Sequence, residues 1–419
     1  MRLVSTRNPA LHSSFQAACA VGLAPDGGLW VPERLTPLSD LAGVLALPWP
    51  EQAVAVLQHL LAGEVAPAVL ADVVHEAFQF PLPLRRAADD LWALELWHGP
   101  TLAFKDFGAR LLARLLPVVD PGPRVVLTAT SGDTGAAVAQ AFWRLPDVQV
   151  VVLYPAGRVS PLQERQFASL DANVRALAVA GNFDDCQALA KACFANRALA
   201  ARLRLTSANS IHIARLLAQV PYYFAAVAQA GGPLTVAVPS GNFGNLCAGL
   251  YAQSLGLPVR LVAATNANTT VPDWLDGGPW RPRPSVATLS NAMDVGSPSN
   301  WERVMHGAGG DRAELQRRLR WGHVDDAQTL AVVQDLHAGG YLCDPHGAVA
   351  AGVLRQVRSG GELCAFLATA HPAKFREVLE PVVGEVPLPP ALAEVADRPL
   401  HRLELPNDVA ELERYLTVM

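Results

Sequence analysis

Lysine is scarce in this chain of 419 residues. Lysine and arginine together number 33, yet the only lysines are Lys105, Lys191 and Lys374. Arginine therefore serves wherever a plain positive charge is needed. Its delocalised guanidinium cannot form a Schiff base, whereas a desolvated lysine can lose its proton and attack a carbonyl. A lysine retained inside an apolar segment is thus a candidate for covalent chemistry.

An excess of basic charge is also missing. The net charge is -5, the sequence pI is about 6.1, and the arginines are scattered along the chain. This pattern lacks the basic patch that nucleic-acid binding requires. With 51% hydrophobic and 17% charged residues, the chain can bury a large core in more than one domain. Composition therefore favours a globular protein that acts on small molecules.

Metal-binding patterns are absent as well. The six cysteines are widely dispersed, with no Cys-x-x-Cys pair, and the eleven histidines form neither a zinc-finger pair nor a His-Glu-x-x-His cluster. We predict reduced thiols and no metal site. The N-terminus shows no apolar secretory core, so we expect a cytoplasmic protein. The uncharged stretch 216–259 is interrupted by Pro221, Gly231 and a Gly/Asn-rich loop, and it reads as buried core.

The chain divides into two regions of different pattern. Residues 1–94 predict a small N-terminal domain, whereas residues 95–419 alternate apolar runs, Gly/Ser/Asn-rich loops and helical patterns, which indicates βα units around a parallel sheet. Three strands are clear, at 125–130, 148–154 and 234–238. Ligands of such sheets gather at the carboxyl ends of the strands, so we expect the site in the loops that follow them.

Lys105 lies in the apolar segment Leu102-Ala-Phe-Lys-Asp-Phe-Gly108. The alternative to a chemical role is structural: its stem could lie along Phe104 and Phe107 with the ammonium in solvent, or Asp106 could pair with it. The apolar positions that follow recur at helical spacing, so Asp106 is predicted at the start of a helix.

A second segment has the pattern of an anion-binding loop. Ser240-Gly-Asn-Phe-Gly-Asn245 lies between a predicted strand and a predicted helix. Glycines allow successive backbone N–H groups to converge, and the helix adds its positive end, so phosphate can bind without a basic side chain. The alternative is a tight turn with asparagine caps. Together with a reactive lysine, such a loop matches the requirements of pyridoxal 5'-phosphate.

Two further segments follow predicted strands. Ser131-Gly-Asp-Thr-Gly135 could bind a carboxylate with its backbone and hydroxyls, or simply cap a helix. Asp133 would repel an anionic substrate unless it turned toward an amine or a cofactor hydroxyl, and its role stays open. Thr369 would stand at the end of a strand, where most threonines only fit the pleat. Lys374 is predicted to be a solvated helix residue.

The segment Trp97-His-Gly-Pro-Thr-Leu-Ala-Phe-Lys-Asp-Phe-Gly108 resembles the cofactor-lysine segment of the threonine synthase family. The resemblance extends over nearly the whole chain, through the segments 26–32, 131–135, 207–215, 240–245, 293–303, 344–347 and 370–375.

The resemblance implies an α/β fold of fold-type II, like the β subunit of tryptophan synthase, with parallel-sheet βα units and a small N-terminal domain. It implies a lyase that converts O-phospho-L-homoserine and water to L-threonine and phosphate. Lys105 would form the aldimine with pyridoxal 5'-phosphate and shuttle protons. The other implied cofactor contacts are Gly241, Asn242, Phe243, Gly244, Asn245, Thr369 and Asp133. The implied substrate contacts are Thr101, Ser131, Thr134, Asn209, Ser210 and Arg215.

One position departs from the family pattern. His212 stands where we expect asparagine, and it is either a titratable donor to the substrate or a packing residue. Two other functions remain possible: another fold-type II enzyme, such as a threonine or serine dehydratase or a phospholyase, and a non-catalytic relative. Arg215 favours a substrate with its own phosphate. No nucleic-acid or membrane partner is expected, and the protein is predicted to be a monomer or homodimer.

Overall fold

Three β-sheets organise the chain in the computed structural model, which describes residues 1–419. A small antiparallel sheet of order β2-β1-β3 begins the chain. Its strands are β1 (Arg2–Ser5), β2 (His12–Ser14) and β3 (Trp30–Pro32). The other two sheets are larger and carry the loops that the sequence singles out.

The six-stranded sheet has the order β12-β11-β10-β13-β5-β4, and all its pairs are parallel except β4 with β5. Its strands are β4 (Leu84–Ala88), β5 (Leu91–Glu95), β10 (Leu234–Pro239), β11 (Val259–Thr265), β12 (Leu319–His323) and β13 (Cys364–Ala368). The predicted domain boundary after residue 94 stays a prediction. Because β4 and β5 pair in this sheet, we favour a boundary ahead of residue 84.

The five-stranded sheet is parallel throughout, with the order β14-β8-β7-β6-β9. Its strands are β6 (Arg124–Ala129), β7 (Val148–Pro155), β8 (Val174–Val179), β9 (Thr206–Ser207) and β14 (Arg402–Leu405). The three strands predicted from sequence are confirmed as β6, β7 and β10, each to within a residue at either end. Their apolar runs are buried almost completely, as expected for strands covered by helices on both faces.

Twenty α-helices surround the sheets. In chain order, α1 to α10 are Phe15–Val21, Leu41–Ala46, Glu51–Leu60, Pro67–Ala77, Lys105–Val119, Asp133–Phe142, Pro161–Ala168, Phe183–Ala195, Arg197–Leu203 and Ile213–Leu217. Helices α11 to α20 are Pro221–Ala230, Gly244–Ser254, Thr270–Leu275, Trp301–Gly307, Arg312–Arg318, Asp326–Ala338, Pro345–Val357, Arg376–Val383, Pro390–Ala396 and Val409–Val418. Short 3-10 turns cover Asn291–Met293 and Pro372–Phe375. None of the helices has both the length and the apolar character needed to cross a membrane.

An aromatic cluster holds α5 in place. The ring of Phe107 lies 4.9 Å from Phe80, 5.3 Å from Phe78, 5.4 Å from Tyr222 and 5.9 Å from Trp49. Such edge-to-face contacts add to the gain from burying the ring itself. Because Phe107 is two residues beyond Lys105, this packing anchors the helix that begins at the candidate lysine.

Candidate active site

Lys105 is the first residue of α5 and is held beside Thr369. The backbone N–H of Phe104 donates to the Thr369 carbonyl at 2.8 Å, and Ala103 forms an antiparallel bridge with Ala370. Leu102 has a φ of 56°, in the left-handed region, where the chain turns toward the helix. The predicted cofactor lysine and the predicted partner of the pyridine nitrogen therefore occupy adjacent backbone.

Charged side chains surround the amine of Lys105. Burial lowers its pKa, the carboxylate of Asp133 opposes that shift, and the nearby charges of Arg215 and Lys374 reinforce it. A lowered pKa increases the fraction of neutral amine, which is the nucleophilic form. The surroundings therefore favour covalent chemistry at this residue.

Asp106 does not pair with Lys105. It lies in the first turn of α5, as predicted, and accepts hydrogen bonds from the Thr101 hydroxyl at 2.7 Å and the Thr101 N–H at 2.9 Å. Burial raises the pKa of Asp106 to about 6. The polar side chain of Thr101 is thus already engaged, and its assignment as a substrate contact remains a prediction.

Lys374 is buried, so the prediction of a solvated helix residue was wrong. It lies in the 3-10 turn that follows β13, and its Nζ is 2.6 Å from Asp133 Oδ1 and 2.8 Å from the Thr101 carbonyl. Burial alone would raise the pKa of Asp133, but the charges of Lys374 and Lys105 hold that pKa well below its usual range. Of the two alternatives for Asp133, this structure has the carboxylate turned toward an amine.

The loop from Ser131 to Gly135 joins β6 to α6. Gly132 has a φ of 144°, a conformation that favours glycine, and α6 begins at Asp133. Ser131 is exposed and Thr134 is half-buried, so both hydroxyls lie near the surface of the loop. Gln163 of α7 donates to Asp133 Oδ1 at 2.8 Å.

The loop from Ser240 to Asn245 forms a cup between β10 and α12. A Cβ added at Gly241 would lie 2.7 Å from the Met293 Cα, so only glycine fits at this position. Phe243 has a φ of 58° and packs its ring 5.1 Å from Trp301. The N–H groups at the start of the eleven-residue helix α12 lie where the sequence predicts an anion site, and that site stays a prediction.

The two asparagine side chains of this cup are used within the protein. Asn242 donates to the Ser210 hydroxyl at 2.8 Å and accepts from the Ser299 N–H at 2.6 Å. Asn245 Oδ1 accepts from the hydroxyls of Tyr222 and Tyr223 at 2.5 and 2.8 Å. Asn245 Nδ2 alone has no partner. A phosphate in the cup would therefore meet backbone donors and this amide, while the other side-chain atoms fix the shape of the loop.

Arg215 is a buried cation with no acidic partner. It lies in α10 and is 4% exposed. Its Nη1 donates to the Ala208 carbonyl, its Nε has no hydrogen-bond partner, and it forms no salt bridge. Burial lowers its pKa to about 10, so the guanidinium is still charged at neutral pH. A buried charge without a counter-ion is costly, and an anionic ligand would relieve that cost.

Asn209 and Ser210 precede this arginine in the loop after β9. Both are half-buried. Asn209 accepts a hydrogen bond from the Thr128 hydroxyl at 2.5 Å, whereas the Ser210 hydroxyl accepts from Asn242. The loop thus connects the five-stranded sheet to the cup that follows β10 of the six-stranded sheet.

His212 is a packing residue in this structure. Its Nε2 donates to the Cys19 carbonyl at 2.9 Å, and its Nδ1 accepts from the Ala214 N–H at 3.2 Å, so it caps α10. Burial lowers its pKa to about 4. Both ring nitrogens are occupied, and the histidine performs the capping for which asparagine is well suited.

Comparison with known proteins agrees with this geometry. Family models match residues 2–78 (threonine synthase N terminus), 78–365 (pyridoxal-phosphate dependent enzyme) and 347–416 (threonine synthase, C-terminal). Threonine synthase of Haemophilus influenzae is 47% identical, with 99% of each chain covered. The crystal structure of threonine synthase from Escherichia coli has a TM-score of 0.95 at 46% identity, with 100% of both chains covered. The chain belongs to the threonine synthase family.

A pyridoxal-phosphate bound relative bears on the cofactor. Threonine synthase of Brucella melitensis, solved with that cofactor, has a TM-score of 0.93 at 35% identity and covers 99% of this chain and 98% of its own. The enzyme described here is accordingly dependent on pyridoxal phosphate and has the predicted fold-type II architecture. The residues present fit that cofactor, because a lysine with a lowered pKa begins α5 beside Thr369, and the cup that a Cβ would fill follows β10, the strand next to β13. We call the region between these loops and the loop after β6 the cleft.

Three residues beside the candidate site were not predicted from the sequence. Gln163 and Gln166 reach the Asp133 and Thr101 side of the cleft from α7, and His346 Nε2 accepts the Ala292 N–H at 3.2 Å behind the cup. Glutamines at i and i+3 on a short helix carry no distinctive signal. His346 lies in the segment 344–347, which resembles the family but for which the resemblance implies no role.

Proposed function

We propose that the enzyme converts O-phospho-L-homoserine and water to L-threonine and phosphate, with Lys105 as the residue that carries the cofactor. The observation that supports this best is Arg215, a buried guanidinium without an acidic partner. The cup after β10 already supplies backbone donors for the cofactor phosphate. A second anion site built on arginine matches a substrate that brings its own phosphate.

The chain's own groups account for the steps of this reaction. Pyridoxal phosphate, when bound, supplies the electron sink that acidifies the substrate α-carbon. Lys105 Nζ takes the proton from the α-carbon and moves protons in the later steps, for which its lowered pKa is suited. Arg215 holds the substrate phosphate and balances the charge as that group leaves. The water that becomes the product hydroxyl adds at the β-carbon.

The remaining predicted contacts complete the proposal. Gly241 to Asn245 hold the cofactor phosphate, and the Thr369 hydroxyl bonds to the pyridine nitrogen. Because a hydroxyl does not enforce protonation of that nitrogen as an aspartate would, we expect a moderate electron sink. Ser131, Thr134, Asn209 and Ser210 are proposed to bind the substrate. The six cysteines are all free, which suits our proposal of a cytoplasmic enzyme, as a monomer or homodimer.

A dehydratase is the main competing function. Threonine deaminases share the fold with TM-scores of 0.57 and 0.54 at 17% identity, which is a likeness of fold alone. A dehydratase substrate carries no phosphate and would leave Arg215 uncompensated. A non-catalytic role would leave the lowered pKa of Lys105 without a purpose.

The direct test is to incubate purified holoenzyme with O-phospho-L-homoserine and to follow threonine and phosphate together. We expect the two products in equal amounts. Formation of 2-oxobutyrate from threonine, without any synthesis of threonine, would refute the proposal.

Arg215→Lys tests the observation on which the proposal depends. Lysine keeps the charge but loses the planar fork that pairs with two phosphoryl oxygens, so we expect kcat/KM to fall about a hundredfold. Cofactor occupancy, read from absorbance, should not change. Arg197→Lys is the matched control, because Arg197 is exposed at the start of α9. Equal activities in both variants would contradict the assignment of Arg215.

A further inference from the structure

Lys374 and Asp133 form a buried ion pair that the proposed reaction does not yet use. Their side chains are 0% and 6% exposed, and Nζ lies 2.6 Å from Oδ1. Two charges removed from water are costly unless their geometry is good and their other valences are satisfied. Here the amine has a second acceptor, the Thr101 carbonyl at 2.8 Å, and the carboxylate has a second donor, Gln163 at 2.8 Å.

The pair connects the two larger sheets. Asp133 begins α6, directly after the β6 strand of the five-stranded sheet, whereas Lys374 follows β13 of the six-stranded sheet. The carbonyl of Thr101 belongs to the segment that leads into Lys105. The Lys374 amine thus links three segments: its own turn after β13, the start of α6 and the segment that leads into Lys105.

The two donors to Asp133 meet on one oxygen. Both Lys374 and Gln163 bind Oδ1, and Oδ2 makes no hydrogen bond within the protein. Holding one oxygen from two sides fixes the orientation of the carboxylate. The second oxygen is left without a protein partner, and the charge of Asp133 acts on the Lys105 amine although the two side chains form no salt bridge.

Charge balance gives the pair its functional meaning. The charged groups that act on Lys105 are Asp133, Arg215 and Lys374. An unpaired carboxylate among them would stabilise a proton on the Lys105 nitrogen and repel an anionic substrate. Lys374 also acts on Asp106 and His371, but its contact is with Asp133.

We propose that Lys374 is a positioning residue that holds Asp133 across the cleft and balances its charge beside Lys105. The proposal deepens the proposed function, since it takes Lys105 as the cofactor lysine. It does not depend on which amino acid is the substrate.

The test is a pH titration of the visible absorbance of the holoenzyme, measured without substrate. In Lys374→Met, the charge of Asp133 is no longer offset, and we expect the midpoint of the titration to rise by about one pH unit. In Asp133→Asn, Lys374 is left unpaired and the midpoint should fall. The double variant should return close to the wild-type midpoint, because both charges are gone.

Lys191→Met is the matched control, since Lys191 is an exposed lysine of α8 and should leave the midpoint unchanged. We also expect Lys374→Met to raise KM for an anionic amino-acid substrate about tenfold, more than it lowers kcat. If Lys374→Met folds poorly, the comparison of Asp133→Asn with the double variant still measures the effect of Lys374. A midpoint that is the same in the two single variants and the wild type overturns the proposal. If the midpoints of the two single variants shift in opposite directions but the wild-type enzyme forms no threonine, only the proposed substrate is contradicted.

Discussion

Burial separates the three lysines of the chain. Lys191 is exposed on α8, whereas Lys105 is half-buried at the start of α5 and Lys374 is fully buried. Scarcity marks Lys374 as much as Lys105, because arginine replaces lysine elsewhere, but the sequence predicts chemistry only for Lys105. Lys374 was missed since its partner, Asp133, is 241 residues away in sequence, and no local pattern predicts such a pair.

Lys105→Ala should abolish the visible absorbance of the bound cofactor. Alanine has no amine to link to it, and the proton transfers assigned to Lys105 are lost, so turnover should fall on the order of 10³-fold or more. The measurement is an absorbance spectrum of protein saturated with pyridoxal phosphate, followed by the threonine assay. Lys191→Ala should behave as wild type. A cofactor spectrum unchanged in Lys105→Ala would remove this lysine from the mechanism.

Loops at the ends of strands carry most of the site, and the sequence predicted where these loops begin. The runs that became β6, β7 and β10 were recognisable because buried parallel strands are continuously apolar. Their assignment to sheets was not predictable, since β6 and β7 lie in one sheet and β10 in the other, yet all three have the same pattern. The glycines of the cup could likewise be recognised in the sequence. The contact between Gly241 and the segment around Met293 could not be predicted.

Gly241→Ala tests the cup as an element. The new Cβ would lie 2.7 Å from the Met293 Cα and 2.9 Å from the Ala292 carbonyl oxygen, and backbone cannot yield as a side chain can. Overpacking of this kind costs about 1–3 kcal/mol, so we expect the Kd for pyridoxal phosphate to rise about ten- to a hundredfold. The Kd is measured by titrating apoenzyme with the cofactor.

Gly232→Ala is the control for that substitution. Gly232 lies in the turn before β10, and a Cβ there meets nothing within 4 Å. It should bind the cofactor as the wild type does. If Gly241→Ala bound the cofactor with wild-type affinity, the segment around Met293 would have to move aside freely. That segment would then not determine the shape of the cup.

At the scale of the whole molecule, the site depends on contacts between distant regions. Helix α10, which carries Arg215, is tied to the N-terminal helix α1 through His212 and the Cys19 carbonyl. The departure of this position from the family pattern was evident from sequence, and a packing role was one of two interpretations. Only the structure could distinguish packing from substrate binding, because the contact that decides it joins Cys19 and His212, which are 193 residues apart.

Burial of His212, rather than its bond to Cys19, makes stability depend on pH. Burial lowers the pKa of His212 to about 4, against about 6.5 for an unfolded histidine. Between these two pH values His212 is therefore protonated in the unfolded chain but neutral in the folded chain. The stabilisation from neutral His212 is thus complete above pH 6.5 and is lost as the pH falls toward 4. Between pH 7 and 5 the loss should be about 2 kcal/mol.

His212→Asn should remove that part of the pH dependence. Asparagine can still cap α10 but does not titrate, so the variant should lose about 2 kcal/mol less free energy of unfolding between pH 7 and 5 than the wild type does. His371, whose pKa burial also lowers to about 4, keeps part of the slope in both proteins. Urea unfolding at equal cofactor concentration gives the two values, and His401→Asn, at an exposed position, is the control. If the slope of His212→Asn equalled that of the wild type, His212 would have to be protonated in the folded enzyme, and its Nδ1 could then not accept from the Ala214 N–H.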